Sequence, residues 1–420
     1  MALVRVRRWA REHGWLVPSL YVAFAIVLAL SLAEIDTRHP IGDVRVIETS
    51  AAEQLLGAIA TGMIAFTAIV FSVSQLVAQS WNSAFSMRLI QWLRQAPLWG
   101  HAFGIFSATF VYALIALALL GRDPGTRLVL TEAGSIVLLL ASVALFLLLL
   151  HTTLRQMNLS YVLDLIGRRG REVIDELYGD PDDTVAATGK ELDGATDAGT
   201  VVHCGPPRVI AAIDFSRLVA LATKADARVD IEVGVGDTVH DGAVIAVILG
   251  GTIPTESVRR AFLLGTERTM DQDPKFALRL LADIGVKALS PAINDPTTAV
   301  QALDQIEDLL RRIGQRRPDL GRLVGVRGFT RVTYPSPSWD DLVALATDEI
   351  RLYGCGSLQV VRRLRLLLIR LEQTVTPDRR DVVRDRLERL EAVVQVSFPA
   401  SDAADASVPD PQGLGLSRVA

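Results

Sequence analysis

The sequence has few of the residues that build catalytic or metal centres. It contains two cysteines, Cys204 and Cys355, and six histidines among 420 residues. The two cysteines match no metal-ligand spacing and are too few for a disulfide framework. No Ser-His-Asp or Cys-His arrangement stands out, and no glycine-rich phosphate loop is complete. We therefore expect no enzyme activity, no metal and no cofactor.

The chain also lacks an excess of positive charge. Its 43 lysines and arginines and 47 aspartates and glutamates give a formal charge of -4. Phosphate binding needs a clustered basic surface, so nucleic acid is not expected as a partner. Half of the residues are apolar and the mean hydropathy is positive. This composition predicts a membrane-spanning part, with the lipid bilayer as a partner, joined to a soluble part.

Charged side chains are missing from four long apolar runs in residues 1–155. Each run is long enough to cross a hydrocarbon core of about 30 Å as a helix. An ionisable residue within the membrane is typical of coupled transporters and pumps, so its absence disfavours coupled transport. We predict a four-span membrane domain over residues 1–155. The runs cover residues 15–33, 55–79, 102–120 and 133–150.

Arginines cluster on one predicted side of these spans. Positive residues favour the cytoplasmic side, so this pattern predicts a multi-pass protein of the bacterial plasma (inner) membrane with both termini in the cytoplasm. The arginines that carry this prediction are Arg5, Arg7, Arg8, Arg11, Arg88, Arg94, Arg155, Arg168, Arg169 and Arg171.

The second run has two faces. Small and polar side chains recur at steps of three and four residues, which places them in one stripe along a helix. Such a stripe most often packs tightly against a neighbouring helix, and the alternative is that it lines a water-filled path. The opposite face is apolar. The stripe consists of Ala58, Thr61, Ala65, Ala68, Ser72, Gln75 and Gln79.

The rest of the chain predicts an α+β cytoplasmic domain in several parts. Residues 156–207 are predicted to form a helix leaving the bilayer and a flexible linker, and residues 399–420 are predicted to form a disordered tail. Glycines and aspartates within residues 208–252 mark tight turns between short strands. This stretch resembles a barrel-sandwich subdomain of the biotinyl and lipoyl type, without the modified lysine of those carriers. Residues 253–398 predict a helical domain with a β-hairpin.

Two Asp-Pro pairs predict helix starts in the helical domain, since an acidic N-cap followed by proline suits the first turn. A connector, residues 288–296, joins these two helices. Its polar residues and their neighbours are candidates for a ligand-binding or regulatory site, for an unidentified small ligand or ion. The alternative is that they are two helix caps and a charged helix face. The candidates are Gln272, Asp273, Asp283, Ser290, Asn294, Asp295 and Thr297.

Two further helices carry clear signals. Ser338 and Asp341 predict a capping box at the start of one helix. The next has leucines on one face and arginines, including Arg362, Arg363 and Arg370, on the other. A solvated face is the more common role of such arginines, and contact with anionic lipid is the alternative.

The connector, together with Arg268-Thr269, Gln272-Asp273, Asp283-Ile284 and residues 297–299, resembles the signature of a bacterial membrane-protein family, domain of unknown function 2254. The resemblance covers nearly the whole chain. It implies four amino-terminal spans and a cytoplasmic domain, and it implies no activity, substrate or catalytic residue.

Two functions fit these observations. The first is a homo-oligomeric channel or pore-like protein, in which second-span helices gather around an axis and the cytoplasmic domain forms a vestibule. The second is a membrane-anchored sensor or scaffold whose cytoplasmic domain binds a ligand or a protein partner.

Overall fold

The computed structural model describes residues 15–38, 49–84, 98–120, 128–156, 158–178, 190, 196–316, 321–325 and 328–414. Its contacts divide the chain into two compact units. The first unit holds the helices before residue 159, and the second unit holds the remainder from Leu159 onwards. Six of the arginines used to predict orientation lie outside the described residues, namely Arg5, Arg7, Arg8, Arg11, Arg88 and Arg94.

The first unit consists of four long helices. All four are long and apolar enough to cross a membrane, as the charge-free runs predicted. Each helix extends beyond its run, because the flanking polar residues continue the same backbone hydrogen bonding. The helices are α1 (Leu16–Arg38), α2 (Thr49–Ala84), α3 (Leu98–Leu120) and α4 (Val129–Gln156).

Small side chains bring α1 and α3 close together. Ala25 and Ala29 of α1 are fully buried, and Gly104 of α3 faces Tyr21 of α1. A Cβ atom at Gly104 would lie 2.7 Å from Cδ2 of Tyr21, so the two helices approach too closely there for any larger residue. This is the usual way in which membrane helices associate.

Helix α2 packs on the other helices through larger side chains. The Phe66 ring lies 4.8 Å from the Phe146 ring of α4 and 6.1 Å from the Phe106 ring of α3, measured between centroids. Between α3 and α4, the Thr109 and Ser142 hydroxyls share a buried hydrogen bond of 2.9 Å. Apolar packing and buried hydroxyl contacts therefore hold the four helices together.

The second unit contains eight strands, nine α-helices and one short 3-10 helix, Pro377–Arg379, among its described residues. The strands are β1 (Asp197–Val202), β2 (Arg208–Ile213), β3 (Ala227–Ile231), β4 (Thr238–Val239), β5 (Val244–Gly250), β6 (Phe262–Gly265), β7 (Arg322–Val324) and β8 (Thr330–Thr333). The helices are α5 (Leu159–Tyr178), α6 (Phe215–Ala225), α7 (Thr255–Arg259), α8 (Pro274–Ala288), α9 (Pro296–Gly314), α10 (Trp339–Gly354), α11 (Leu358–Thr374), α12 (Arg380–Ser397) and α13 (Ala400–Ala406).

The strands form two sheets. The larger has the order β1-β5-β3-β8-β7, and the smaller has the order β4-β2-β6. The β3–β8 pair is parallel, and the other strand pairs among the described residues are antiparallel. The predicted hairpin is the β7–β8 pair, with Gly328 at φ +78° before β8. A barrel-sandwich in residues 208–252 is not confirmed. The strands of that stretch are divided between both sheets, and strands from outside it complete each sheet.

Part of the predicted linker is instead a strand. β1 pairs along β5, and its Val201 is fully buried in the core beneath the sheets. The linker prediction missed it because alanine, glycine and threonine beside aspartates have a weak strand signal. The linker residues 179–189 and 191–195 lie outside the described residues.

Helices α5, α10 and α11 pack on α8 and α9, which form a hairpin. α5 approaches this hairpin through two glycines: a Cβ atom at Gly167 would lie 2.0 Å from Gln305 Oε1, and one at Gly170 would lie 3.1 Å from Ala277 Cβ. Near the carboxyl end of α8, Gly285 lies next to Ala302 of α9. The predicted exit helix is thus part of the core of the second unit.

Two predictions for the carboxyl-terminal part are wrong for some of their residues. Arg362 and Arg363 are buried rather than solvated, whereas Arg370 is exposed as predicted. Arg363 forms ion pairs with Asp304 and Glu307 of α9, and Arg362 donates to the carbonyl of Asp405 in α13. The tail is therefore not disordered up to residue 414, because α13 and the residues after it satisfy a buried guanidinium.

Candidate functional site

The stripe of α2 faces outward. Every one of its seven residues is exposed, whereas the opposite face is buried or half-buried against the other three helices. Ile59, Met63 and Val70 on that opposite face are each less than 5% exposed. The stripe therefore does not pack against the helices of its own chain, and the packing interpretation does not hold within one chain.

The outward stripe includes two polar side chains within a candidate membrane span. Ser72 and Gln75 lie within the candidate span Ser50–Val77 and are exposed on the surface of the single chain. A serine hydroxyl can donate to a carbonyl of its own helix, as Ser74 does to Phe71. A glutamine amide has two donors and an acceptor, and hydrocarbon offers it no partner. Gln75 consequently calls for another chain or water on this face.

A buried aspartate at the end of α1 was missed by the sequence analysis. Asp36 is 2% exposed and accepts hydrogen bonds of 3.0 Å from the backbone N–H groups of Leu130 and Thr131, and one of 2.9 Å from the Thr131 hydroxyl. These donors belong to the first turn of α4, where N–H groups lack partners within the helix. Asp36 thus caps α4 from another helix, a role that no local sequence signal reveals.

Gln272 and Asp273 fasten the start of α8 to the smaller sheet. The Gln272 side chain accepts from Ile213 N at 2.8 Å and donates to Ile213 O at 3.2 Å. The Asp273 carboxylate caps α8 by accepting from Phe276 N, and it accepts from Arg268 Nε at 2.5 Å. Both Asp273 oxygens are therefore engaged, as the predicted N-cap requires.

A glycine is required at position 236, beside the ion pair between Arg268 and Asp273. Its φ of +92° lies in a region that residues with a side chain rarely adopt. A Cβ atom there would also lie 2.4 Å from Asp273 Oδ2 and 2.5 Å from Arg268 Nε. The glycine lets the backbone approach the buried ion pair.

The connector is explained by helix ends. Ser290 donates from its hydroxyl to the carbonyl of Lys287, Asn294 adopts the left-handed conformation with φ +49°, and Asp295 N donates to Ala288 O. The Asp295 carboxylate then accepts from the backbone and the hydroxyl of Thr298, as predicted for an N-cap. The most characteristic residues of the connector thus end one helix and start the next.

The structure does not bring the candidate connector residues together. Asp273 precedes α8 and Asp295 follows its end, and a helix of 15 residues is about 22 Å long. Asp283 lies between them and binds Arg279, which also binds Glu349 through two hydrogen bonds. Thr297 is exposed. The seven candidates are therefore spread along the α8–α9 hairpin.

A small pocket does gather two of the candidates. It has a volume of about 60 Å³, and its walls include Gln272, Asp273, Phe215, Tyr178 and Tyr334. The Phe215 and Tyr334 rings lie 4.7 Å apart between centroids. The aromatic walls were not predicted, because they come from three separate parts of the chain.

Burial dominates the electrostatics of this pocket. It raises the pKa of the Asp273 carboxyl above its ordinary value, against the opposing effect of Arg268. Burial also raises the pKa of the Tyr178 and Tyr334 phenols, which stay neutral at pH 7. With its carboxylate already engaged and its phenols neutral, the pocket offers hydrogen bonds and ring contacts, and its volume is below the range of about 300–1,000 Å³ that is usual for ligand pockets.

Among the described residues, no group of three or more histidine, cysteine, aspartate or glutamate side chains is arranged to hold a metal ion. The acidic residues of the candidate set are instead bound by arginines and by helix N-termini.

Four helices that are long and apolar enough to cross a membrane, followed by an α+β unit, are the architecture expected of a multi-spanning membrane protein. The family model described as predicted membrane protein, DUF2254, matches residues 11–370, and the chain belongs to this family. The resemblance noted from the connector is thus confirmed.

Uncharacterised proteins of Mycobacterium bovis and of two strains of Mycobacterium tuberculosis are each 28% identical to the chain over 363 residues. Each comparison covers 83% of this chain and 69% of the relative. No solved structure matches the chain.

Proposed function

We propose that the protein is a homo-oligomeric, channel-like protein in which the α2 helices of several copies face one another and line a path for ions or small solutes. The observation that carries the proposal is the exposure of the whole α2 stripe, Gln75 included, on the side turned away from the bundle. The second unit forms the vestibule or regulatory part in this proposal.

The energetics of the bilayer support an interior position for the stripe. An exposed glutamine in hydrocarbon leaves its amide without hydrogen bonds, and each unsatisfied polar group costs several kcal/mol. A path shared by several copies supplies water or a second amide to Gln75. The small residues Ala65 and Ala68 allow the helices to approach closely around such a path.

The stripe favours passive conduction over coupled transport. Residues 55–79 contain no charged side chain. Coupled transporters and pumps use ionisable groups within the membrane to bind and release the driving ion. A path lined by alanine, hydroxyl and amide groups has no such group, so flux follows the gradient. The proposal assigns no catalytic step, metal or cofactor to the chain.

Cysteine cross-linking tests the arrangement of copies. In a chain with Cys204 and Cys355 replaced by serine, Ala68→Cys on the stripe should form disulfide-linked dimers in membranes. Leu140→Cys is the matched control, since Leu140 lies on α4 and is 63% exposed. It should stay uncross-linked. Equal cross-linking at the two positions, or a monomer in lipid nanodiscs, argues against the shared path.

Conductance tests the path itself. Purified protein in liposomes should pass ions under voltage or membrane tension, and Ser72→Leu and Gln75→Leu should reduce the flux by making the path apolar. Leu76→Ile is the control, because Leu76 is exposed on the same helix and stays apolar. Absence of ion flux under all conditions, or unchanged flux in both leucine variants, would contradict the proposal.

The proposal also includes the orientation of the protein in the membrane. We place the protein in the bacterial inner membrane with both termini in the cytoplasm, on the strength of the arginine distribution. A reporter fused after Ala420 should be active only in the cytoplasm, and activity outside the cell would reverse the placement.

A second candidate is a sensor whose second unit binds a small ligand. The pocket lined by Tyr178 and Gln272 favours this candidate, because it lies where the start of α8 is hydrogen-bonded to the smaller sheet. A thermal-shift screen of the full chain against small metabolites should then find compounds that raise the melting temperature. Gly234 also lines the pocket. Gly234→Leu fills the pocket and should abolish the shift, and a screen without hits removes the support for this candidate.

A further inference from the structure

A groove opens on the outer surface of the first unit, between α2 and α3. Its volume is about 430 Å³. Buried Met63 and the half-buried Phe103 and Phe110 line it, while Ile64 and Phe71, which are 56% and 55% exposed, stand where it meets the surface. The groove is therefore open to the outer surface of the first unit, beside the α2 stripe.

One face of each of two helices forms the walls of the groove. Its α3 wall contains Phe103, Ser107 and Phe110, which are spaced by four and three residues on one face of the helix. Its α2 wall has the same spacing, from Ile64 to Phe71. Seven residues of helix span about 10 Å along the axis, so the groove follows the spanning helices over roughly a third of a bilayer core.

The chemistry of the groove excludes water and charged groups. Its lining is hydrocarbon and aromatic apart from the hydroxyls of Thr67 and Ser107, and the Thr67 hydroxyl already donates to the carbonyl of Met63 at 2.8 Å. Apolar cavities in proteins stay dry and take up apolar molecules, and an apolar groove favours the same kind of occupant. Within a bilayer, the apolar chains that surround the helices are those of the lipids.

We propose that this groove is a binding site for one acyl chain of a membrane phospholipid. The chain enters sideways from the bilayer and lies along α2 and α3. Ala68 lines the groove and also belongs to the α2 stripe, so a bound chain contacts the helix that carries the stripe. The site does not depend on conduction, because its far wall is α3.

The test uses full-length protein in liposomes of phosphatidylethanolamine and phosphatidylglycerol. A fraction of the phosphatidylethanolamine carries a diazirine in the middle of one acyl chain, and mass spectrometry locates the adducts after illumination. Labelling should concentrate on Phe103, Ser107 and Phe110. Val137 and Leu140 are the comparison, because they lie on α4 and are 64% and 63% exposed.

Ser107→Phe fills the groove without changing the stripe, and it should abolish the adducts on α3 while leaving those on α4. Val137→Phe adds the same side chain to an exposed position and should retain the groove adducts. Persistent groove labelling in a folded Ser107→Phe protein overturns the proposal.

If Ser107→Phe does not fold, as judged by its melting transition, the positions of the adducts in the wild-type protein decide the question. Equal labelling of the groove and of Val137 then rejects a specific site. Disulfide-linked dimers through a Ser107→Cys variant also reject it, because they show that a second copy occupies the groove.

Discussion

Asp36 lies in the last turn of α1 and caps the start of α4. Replacing it with alanine should lower the free energy of unfolding by about 1 to 2 kcal/mol, because three donors in the first turn of α4 lose their acceptor. Asp36→Asn should cost less, since an amide oxygen still accepts. The melting temperature in detergent micelles measures both. Glu34→Ala, which removes an exposed partner of Arg38, is the control, and an equal loss there contradicts the capping role.

Asp341 gives the stability of α10 a dependence on pH. Its carboxylate accepts from the hydroxyl and the backbone N–H of Ser338, and these bonds hold its pKa below the ordinary value of 3.8. A lowered pKa in the folded state means that the carboxylate stabilises the fold above pH 3.8. That stabilisation is lost as the pH falls through the lowered pKa.

The melting temperature of wild type should therefore exceed that of Asp341→Asn at neutral pH, and the gap should close below pH 3.8. The effect is small, because Asp341 is exposed and solvent screens it. Ser338→Ala should remove most of the same pH dependence. A gap that persists unchanged in acid contradicts the assigned bonds.

Individual caps were predictable only where both partners lie close in sequence. Asp273, Asp295 and Asp341 each bond within three residues of themselves, and all three caps were predicted. Asp36 bonds to Thr131, 95 residues away, and nothing around Asp36 marks the bond. Arg362 was misread for the same reason, since its partner Asp405 lies 43 residues away in a stretch of low sequence complexity.

At the scale of helices, the close approach of α1 and α3 predicts a sharp contrast between two glycines. Gly104→Ala should cost about 1 to 3 kcal/mol by overpacking against Tyr21 and Pro18, whose atoms lie 2.7 and 3.3 Å from the new Cβ. Gly62→Ala on α2 meets nothing within 4 Å and should cost nothing. Melting temperatures in micelles compare them, and equal losses would argue against this packing.

The elements themselves were largely predictable, whereas their partners were not. Charge-free runs give the four spans, and Asp-Pro pairs give the starts of α8 and α9, because these signals are local. The partner of β3 was not predictable, since the parallel bond pattern joins Asp230 to Thr333 across about a quarter of the chain. The outward direction of the α2 stripe depends on which neighbours bury the opposite face, and periodicity alone carries no such information.

For the whole molecule, the two units predict where the chain can be cut. A fragment of residues 159–414 should fold alone, because it retains α5 and β1, which pack on the α8–α9 hairpin and on β5. The shorter fragment 208–399 removes both elements, and it should show no cooperative thermal unfolding by circular dichroism. Cooperative unfolding of the shorter fragment would contradict the assigned role of α5 in the core.

The buried carboxylate at the end of the first span also bears on how the protein is made. Its donors are synthesised 94 and 95 residues later. During synthesis the carboxylate of the first helix therefore depends on water for its hydrogen bonds until the start of the fourth helix has been made. A chain cut before Leu130 keeps this carboxylate but lacks the donors that bury it.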